Sequence, residues 1–121
     1  MATPNLINVD TITPTVGVGA VTTSRVAVVD VTAEYCAKIN SVIIANIDGT
    51  NAADITVGVS IDNGSTFFSI ASTISVPADS AVTILGKDNG IYLDETDLLK
   101  VTASANSDLT YCVSYEEMKD A

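Results

Sequence analysis

The segment 54–61 constrains the fold most, because it alternates between β-branched apolar residues and small or polar ones. A period of two is typical of a β-strand with one buried face. The alternation returns near the end of the sequence, and the chain is rich in Val, Ile and Thr, which favour strands. The residues expected on the two buried faces are Ile55, Val57, Val59 and Ile61, and Leu109, Tyr111, Val113 and Tyr115.

Turn-forming sequences separate the apolar runs at short intervals. Asn63-Gly64 is typical of a two-residue hairpin turn, because both residues accept a positive φ. Other turns are expected at 48–54, 77–80, 87–90 and 105–108, which are rich in Asp, Asn, Gly, Pro and Ser. We predict an all-β fold: a single antiparallel β-sandwich, jelly-roll or immunoglobulin-like, of about eight short strands. Only 114–121 has the composition of a helical turn.

The N-terminal segment 1–24 carries one charge, Asp10, and two prolines, Pro4 and Pro14. Its prolines disfavour a helix, and its Thr, Val and Ile content favours an extended path. We predict an extended N-terminal arm, 1–24, followed by the β-sandwich domain, 25–121. The arm would lie on a neighbouring surface or add a strand to its sheet, the alternative being a frayed terminus. The predicted interface residues are Leu6, Ile7, Val9, Ile12, Val16 and Val18 in the arm and Phe68 in the domain.

The charge of the chain restricts its partners. Fifteen acidic residues against five basic ones give a net charge of −10. Nucleic-acid binding depends on Lys and Arg neutralising phosphates, so we expect no nucleic-acid partner and no binding to anionic membranes. The start of the sequence lacks the basic and apolar regions of a signal peptide, so we expect synthesis in a cytoplasm. Cys36 and Cys112 are then expected to be buried thiols, with a disulfide between them as the alternative.

The densest group of acids is Asp94, Glu95 and Asp97, which lies between two apolar segments. This position predicts a turn between strands, and a divalent-cation site is the weaker alternative, because a calcium loop also needs a central Gly and a distant Glu. The chain has no His to activate a Ser or Cys nucleophile. Glu116 and Glu117 are adjacent and would point to opposite faces of a strand. We therefore expect no enzymatic activity and no cofactor.

Several blocks of the sequence resemble a family of small virion structural proteins of tailed bacteriophages. The N-terminal stretch MATPNLINV is most similar to members from contractile-tailed phages of cyanobacteria. The resemblance extends over nearly the whole chain and is weakest over 14–35. The blocks that carry it are IANIDGTNAADITV (44–57), ASTISVPADSAVTIL (71–85), IYLDETDLLKVTASA (91–105) and VSYEEM (113–118).

The resemblance implies a β-sandwich attached to the capsid, neck or tail of a phage in many copies. Packaged DNA would repel an acidic protein from the inner wall, so we expect the outer head surface and the role of a capsid decoration or cement protein. Its partners would be the major capsid protein or other virion proteins, and it would form a homo-oligomer, with a trimer favoured. The alternatives are a neck, tail, baseplate or fibre-base component, and a glycan- or receptor-binding module on the virion surface.

Overall fold

The computed structural model describes residues 9–61 and 66–120 of the chain. Nine strands form in this part, so the all-β prediction is confirmed, with one strand more than expected. A short 3-10 helix, Lys87–Asn89, lies between the sixth and seventh strands. The strands are β1 (Val9–Val21), β2 (Val26–Asp30), β3 (Tyr35–Asn46), β4 (Ala53–Ser60), β5 (Phe67–Val76), β6 (Ala81–Leu85), β7 (Ile91–Leu93), β8 (Leu98–Ala103) and β9 (Leu109–Asp120).

The strands form two antiparallel sheets that pack face to face. Sheet A has the order β1-β9-β3-β6, and β7 also pairs with β3; sheet B has the order β2-β8-β4-β5. The first four strands alternate between the sheets, and the first and last strands are neighbours in sheet A. This order matches a jelly roll and differs from an immunoglobulin sandwich. Of the two predicted types of β-sandwich, the structure therefore has the jelly roll.

The core lies between the sheets and follows the alternation of the sequence. In β4, Ile55 and Val57 are fully buried. In β9, Leu109 and Val113 are fully buried too. Each fully buried aliphatic side chain contributes roughly 1.5–3 kcal/mol to the free energy of unfolding. Ile61 is 51% exposed instead of buried, because β4 ends one residue before it.

Strand β3 changes the faces of its side chains at a bulge. Ile39 is buried before the bulge, and Val42 and Ile44 are buried after it. The register between β3 and β9 shifts between Ile39 and Ser41. One extra residue in a strand reverses the alternation of all the residues that follow. Ile43 therefore lies on the outer face of sheet A.

The segment 114–121, the only one with the composition of a helical turn, forms no such turn in its described part, 114–120. Strand β9 continues to Asp120 and pairs with β1 on one side and β3 on the other. Two ladders occupy the backbone hydrogen-bonding groups of this segment, and this tertiary pairing outweighs the weak helical preference of its polar residues. The predicted Asn63-Gly64 turn lies outside the described residues.

The segment predicted to be an arm is extended over Val9–Val21, where it forms β1. It pairs with β9 of its own sheet, from Val9 opposite Asp120 to Val21 opposite Leu109. Val21 is fully buried and fixes the C-terminal end of the strand in the core. A role for this segment in contacting a neighbouring molecule stays a prediction.

Candidate interaction surface

The outer face of sheet A carries a surface without charged side chains, which we call the neutral face. The cross-strand registers align its residues in three rows across β1, β9, β3 and β6. Every one of these residues is exposed or half-buried. The rows are Val16, Ser114 and Ser41; Val18, Cys112, Ile43 and Thr83; and Ala20, Thr110, Ala45 and Ala81.

Large apolar side chains stand out from small neighbours on the neutral face. Val16 is 64% exposed, Val18 is 68% exposed and Ile43 is 38% exposed. Between them, an open depression of about 270 Å³ is lined by Val18, Gly19, Ile43, Ala45, Thr110, Tyr111 and Cys112. A contiguous uncharged surface on a chain with a net charge of −10 is typical of an interaction surface, because contact with it desolvates no ion.

Charged residues begin at the next row along the strands. There Glu116 of β9 lies opposite Pro14 of β1 and Lys38 of β3. The Asn40 side-chain amide donates a hydrogen bond to Glu116 Oε1 at 3.1 Å, and Lys38 Nζ lies 6.0 Å from the centroid of the Tyr92 ring. These contacts hold Glu116 and Lys38 at one end of the sheet. Asp48, Asp79 and Asp108 lie in the loops at the opposite end, so charged residues border the neutral face at both ends of its strands.

The structure brings three of the predicted interface residues onto the same side of β1. Ile12, Val16 and Val18 are all exposed, and Val16 and Val18 belong to the neutral face. Val9 is half-buried at the start of the strand. Leu6 and Ile7 lie outside the described residues.

The seventh predicted interface residue, Phe68, lies elsewhere. It is 57% exposed on β5, at the edge of sheet B, beside exposed Ile70 and Ile74. Phe68 and the neutral face therefore form two separate surfaces. The interface role of the predicted residues stays a prediction for both.

Small residues allow β1 to lie close to β9. A Cβ atom added to Gly19 would lie 3.0 Å from Tyr111 Oη, and one added to Gly17 would lie 3.2 Å from Val113 Cγ1. Both distances are tighter than ordinary van der Waals contact, so neither position accepts a side chain without movement. Main-chain pairing with β9 therefore holds most of β1, and Val21 is its only fully buried side chain.

The acids at 94–97 form the turn predicted for them, between β7 of sheet A and β8 of sheet B. The Asp94 N–H donates to Asp97 Oδ2 at 2.9 Å, and the Glu95 N–H donates to Asp94 Oδ1 at 2.8 Å. The Glu95 carboxylate accepts a hydrogen bond from the Glu34 N–H at 2.5 Å. The three carboxylates thus accept hydrogen bonds from backbone N–H groups of the loops. Among residues 9–61 and 66–120, no group of three or more acidic, Cys or His side chains has a geometry suited to a metal ion.

The two cysteines are free and lie far apart in sheet A. Cys36 lies opposite Met118 and Cys112 lies opposite Ile43, six residues apart along β9. Six residues of a strand span about 20 Å, whereas the Cα atoms of a disulfide lie about 6 Å apart, so the two cysteines of one chain cannot pair. Burial raises the pKa of the Cys36 thiol, and the nearby Asp94 and Asp97 carboxylates raise it further.

Sequence reasoning missed Ile43 and Cys112, the centre of the neutral face. Their juxtaposition depends on the bulge in β3, which turns Ile43 outward. One signal of the bulge is present in the sequence: Asn40 and Ser41 are the only two consecutive polar residues in the largely apolar segment 36–47. Such a pair breaks a period of two and marks the place where it resumes on the other face.

Comparisons with known proteins support the fold. No family model and no curated protein matches the sequence. The structure is similar to a subunit of Bacillus endospore appendages, which are disulfide-linked pili, with a TM-score of 0.57 and 9% identity over 94% of this chain and 90% of that one. At this identity, the likeness concerns the fold alone.

Two other structures are more distant. A pentameric capsid protein from metagenomic phage sequences has a TM-score of 0.40 and 13% identity, over 95% of this chain and 62% of that one. The Eiger TNF protein of S. frugiperda also has a TM-score of 0.40 and 13% identity, over 91% of this chain and 94% of that one. Scores at this level say nothing further about this chain.

In the described residues, no helix has the length and apolar character needed to cross a membrane.

Proposed function

We propose that this chain is a non-enzymatic structural protein of a bacteriophage virion, and that it attaches to the outer surface of the capsid as a decoration protein. The observation that carries the proposal is the neutral face, an exposed and uncharged sheet surface on a strongly acidic chain. The resemblance of four sequence blocks to small phage virion proteins supplies the class of partner, a virion protein, and the acidic charge favours the outer surface of the capsid over its inner wall.

The charge distribution supports docking with the neutral face towards the capsid and the acidic surface towards solvent. An uncharged sheet face can dock without desolvating ions, while the remaining acidic surface faces solvent and keeps the particles apart. The neutral face spans about 20 by 20 Å by strand geometry, with about 4.8 Å between strands and about 6.8 Å between residues on one face. That area corresponds to roughly 800 Å² buried in total between two partners, below the roughly 1,200–2,000 Å² of stable specific interfaces, so attachment to the capsid also needs contacts outside the neutral face, such as the N-terminal residues tested below.

The test is binding to particles that lack the protein. The purified protein is mixed with virions of a phage whose gene for this protein has been deleted. Binding is measured by co-sedimentation. Ile43→Lys places a charge in the centre of the neutral face and should weaken binding at least tenfold. Ile74→Lys is the matched control, because Ile74 is similarly exposed, at 41% against 38%, but lies on sheet B. Equal binding by the two variants, or no binding by the wild type, would contradict the proposal.

The contribution of the N-terminal residues needs its own variant. Removing all of 1–20 would expose the edge of β9, since β1 pairs along its length. Deleting 1–8 removes Leu6 and Ile7 and leaves β1 in place. If the N-terminal residues contact the capsid, this deletion should weaken binding to the capsid and leave the thermal unfolding temperature of the protein unchanged.

The alternatives predict different positions in the particle. A decoration protein is present in hundreds of copies on the head, whereas a neck ring contains about a dozen; quantitative mass spectrometry of virions and labelling with antibodies separate the two. A glycan-binding module would bind a glycan array as the isolated protein. We propose the decoration role over a glycan-binding module because the three rows of the neutral face contain no aromatic residue, and sugar sites favour aromatic platforms.

A further inference from the structure

The sheet edges of this protein differ in how they are protected from pairing with another chain. Natural sheets protect edges by short strands, bulges, charges and proline. Strand β2 has five residues and an irregular register, β5 has two irregularities, and β6 has five residues and one irregularity. β7 has only three residues. Each of these edges is a poor template for a further strand.

Strand β1 is the exception between Pro14, which protects its N-terminal part, and its end at Val21. It has 13 residues, and its register against β9 is regular from Thr11 to Val21. Asp10 is its only charged residue, and the chain carries no further charge until Arg25. Two copies with a net charge of −10 each repel one another over most of their surfaces, and this edge is where they can approach with least repulsion.

Among the described strands none pairs with the outer edge of β1, which we call the open edge. The position of Pro14 indicates which residues face the open edge. Pro14 lies within the ladder, opposite Glu116. Because proline has no N–H, it is tolerated in an edge strand where that group would point away from the neighbouring strand. The N–H and C=O groups of one strand residue point to the same edge of the strand, and those of the next residue point to the opposite edge. Every second residue counted from Pro14 therefore points to the same edge as Pro14. The open edge is therefore formed by the main-chain groups of Ile12, Val16, Val18 and Ala20, whose side chains lie on the outer face of sheet A.

We propose that a second copy of this chain pairs with this edge, β1 against β1 in antiparallel orientation around a two-fold axis at Val18. In this register Val18 faces Val18 of the second copy, and Val16 faces Ala20. These three hydrogen-bonded residue pairs give about six main-chain hydrogen bonds, and Pro14 lies outside them, opposite Thr22.

The pairing joins two copies of sheet A into one continuous sheet. The neutral faces then lie side by side on the same surface, with Val16, Val18 and Ala20 of both copies at the two-fold axis. The inference goes beyond the proposed function, because it concerns the free protein and requires no capsid. It also predicts a dimer where the sequence had favoured a trimer, since pairing of identical strands closes with two-fold symmetry.

The test is the mass of the protein in solution, measured by sedimentation equilibrium over a range of concentrations. The wild type should reach twice the 12.5 kDa of one chain. Val18→Pro removes an N–H from the open edge and leaves the ladder with β9 intact, as Pro14 does, so it should shift the dissociation constant at least tenfold. Val18→Thr keeps the N–H and the β-branched shape, and should dimerise like the wild type. A monomeric wild type, or unchanged dimerisation of Val18→Pro, would overturn the inference.

Hydrogen exchange provides a measurement on the unmodified protein. The N–H groups of Val16, Val18 and Ala20 should become more protected as the protein concentration rises, whereas exchange on β5 should not change. Protection that is independent of concentration would overturn the pairing. Ile43→Lys separates the two proposals, because it should weaken capsid binding at least tenfold and leave the dimer intact.

Discussion

The guanidinium carbon of Arg25 lies 3.8 Å from the centroid of the Phe67 ring. This contact joins the residue before β2 to the first residue of β5, the two edge strands of sheet B. Cation–π contacts of this kind contribute roughly 0.5–1 kcal/mol at exposed sites. The ring also covers Gly58 of β4, where an added Cβ would clash with the ring and with the Phe68 carbonyl oxygen.

Gly58→Ala should therefore destabilise the protein by roughly 1–3 kcal/mol, because the ring or the β5 backbone must move to admit a methyl group. The measurement is the free energy of unfolding in urea. Gly86→Ala is the control, since the nearest atoms to an added Cβ there lie 3.7 and 3.8 Å away, at ordinary contact distance. Equal stability of the two variants would mean that Phe67 does not occupy this position in solution.

The period of two in 54–61 and 109–115 was sufficient to predict these strands and their buried sides, except at Ile61, and together with the turn sequences it predicted a β-sandwich. It could not predict the neutral face, because that surface depends on register between strands distant in sequence. The bulge between Ile39 and Ser41 decides which side chains of β3 meet Cys112, and β9 brings β1 and β3 together. The polar composition of 114–121 would also suit a helical turn, and pairing on both sides of β9, a tertiary effect that local composition does not contain, selects the strand there.

Asn46 is a buried polar residue whose side chain joins three segments. Its Nδ2 donates to the carbonyl oxygens of Asn51 and Val76, both at 2.9 Å, and its Oδ1 accepts from the Asp48 N–H. Asn46→Ala should lower the free energy of unfolding by roughly 1–3 kcal/mol or more, because these groups lose their partner inside the protein. Asn40→Ala, which removes one half-buried hydrogen bond to Glu116, should cost only about 0.5–1.5 kcal/mol. The reverse order would show that water replaces the Asn46 side chain at little cost.

The side-chain carboxylate of Asp97 should stabilise the 94–97 turn by accepting a hydrogen bond from the backbone N–H of Asp94. Asp97→Ala removes the acceptor of the Asp94 N–H and should cost roughly 0.5–1.5 kcal/mol, whereas Asp97→Asn, which keeps a side-chain oxygen, should cost less. Millimolar calcium or EDTA should leave the thermal unfolding temperature of the wild type unchanged. A rise of several degrees with calcium, lost in Asp97→Ala and kept in Asp88→Ala, would instead assign a cation to this turn.

The cysteines should differ in reactivity towards iodoacetamide. Cys112 is half-exposed on the neutral face, whereas Cys36 is 7% exposed, and burial together with Asp94 and Asp97 raises the pKa of its thiol. Mass spectrometry of the native protein should find Cys112 modified first and Cys36 modified only after unfolding. The raised pKa of Cys36 also affects the free energy of unfolding, because this thiol ionises more readily in the unfolded chain. The free energy of unfolding should therefore fall as the pH rises past 9.0, the ordinary pKa of the thiol. Equal labelling of the native protein would contradict the burial of Cys36.

Strand β9 lies between β1 and β3 although it is the last of the nine strands along the sequence. During translation, β1 and β3 leave the ribosome well before β9, and each lacks its main partner until β9 arrives. Sheet A can therefore close only once Leu109–Asp120 has left the ribosome, and contacts between such distant segments form slowly. A nascent chain stopped before Leu109 would present unpaired apolar strands, the species most prone to aggregate in a crowded cell.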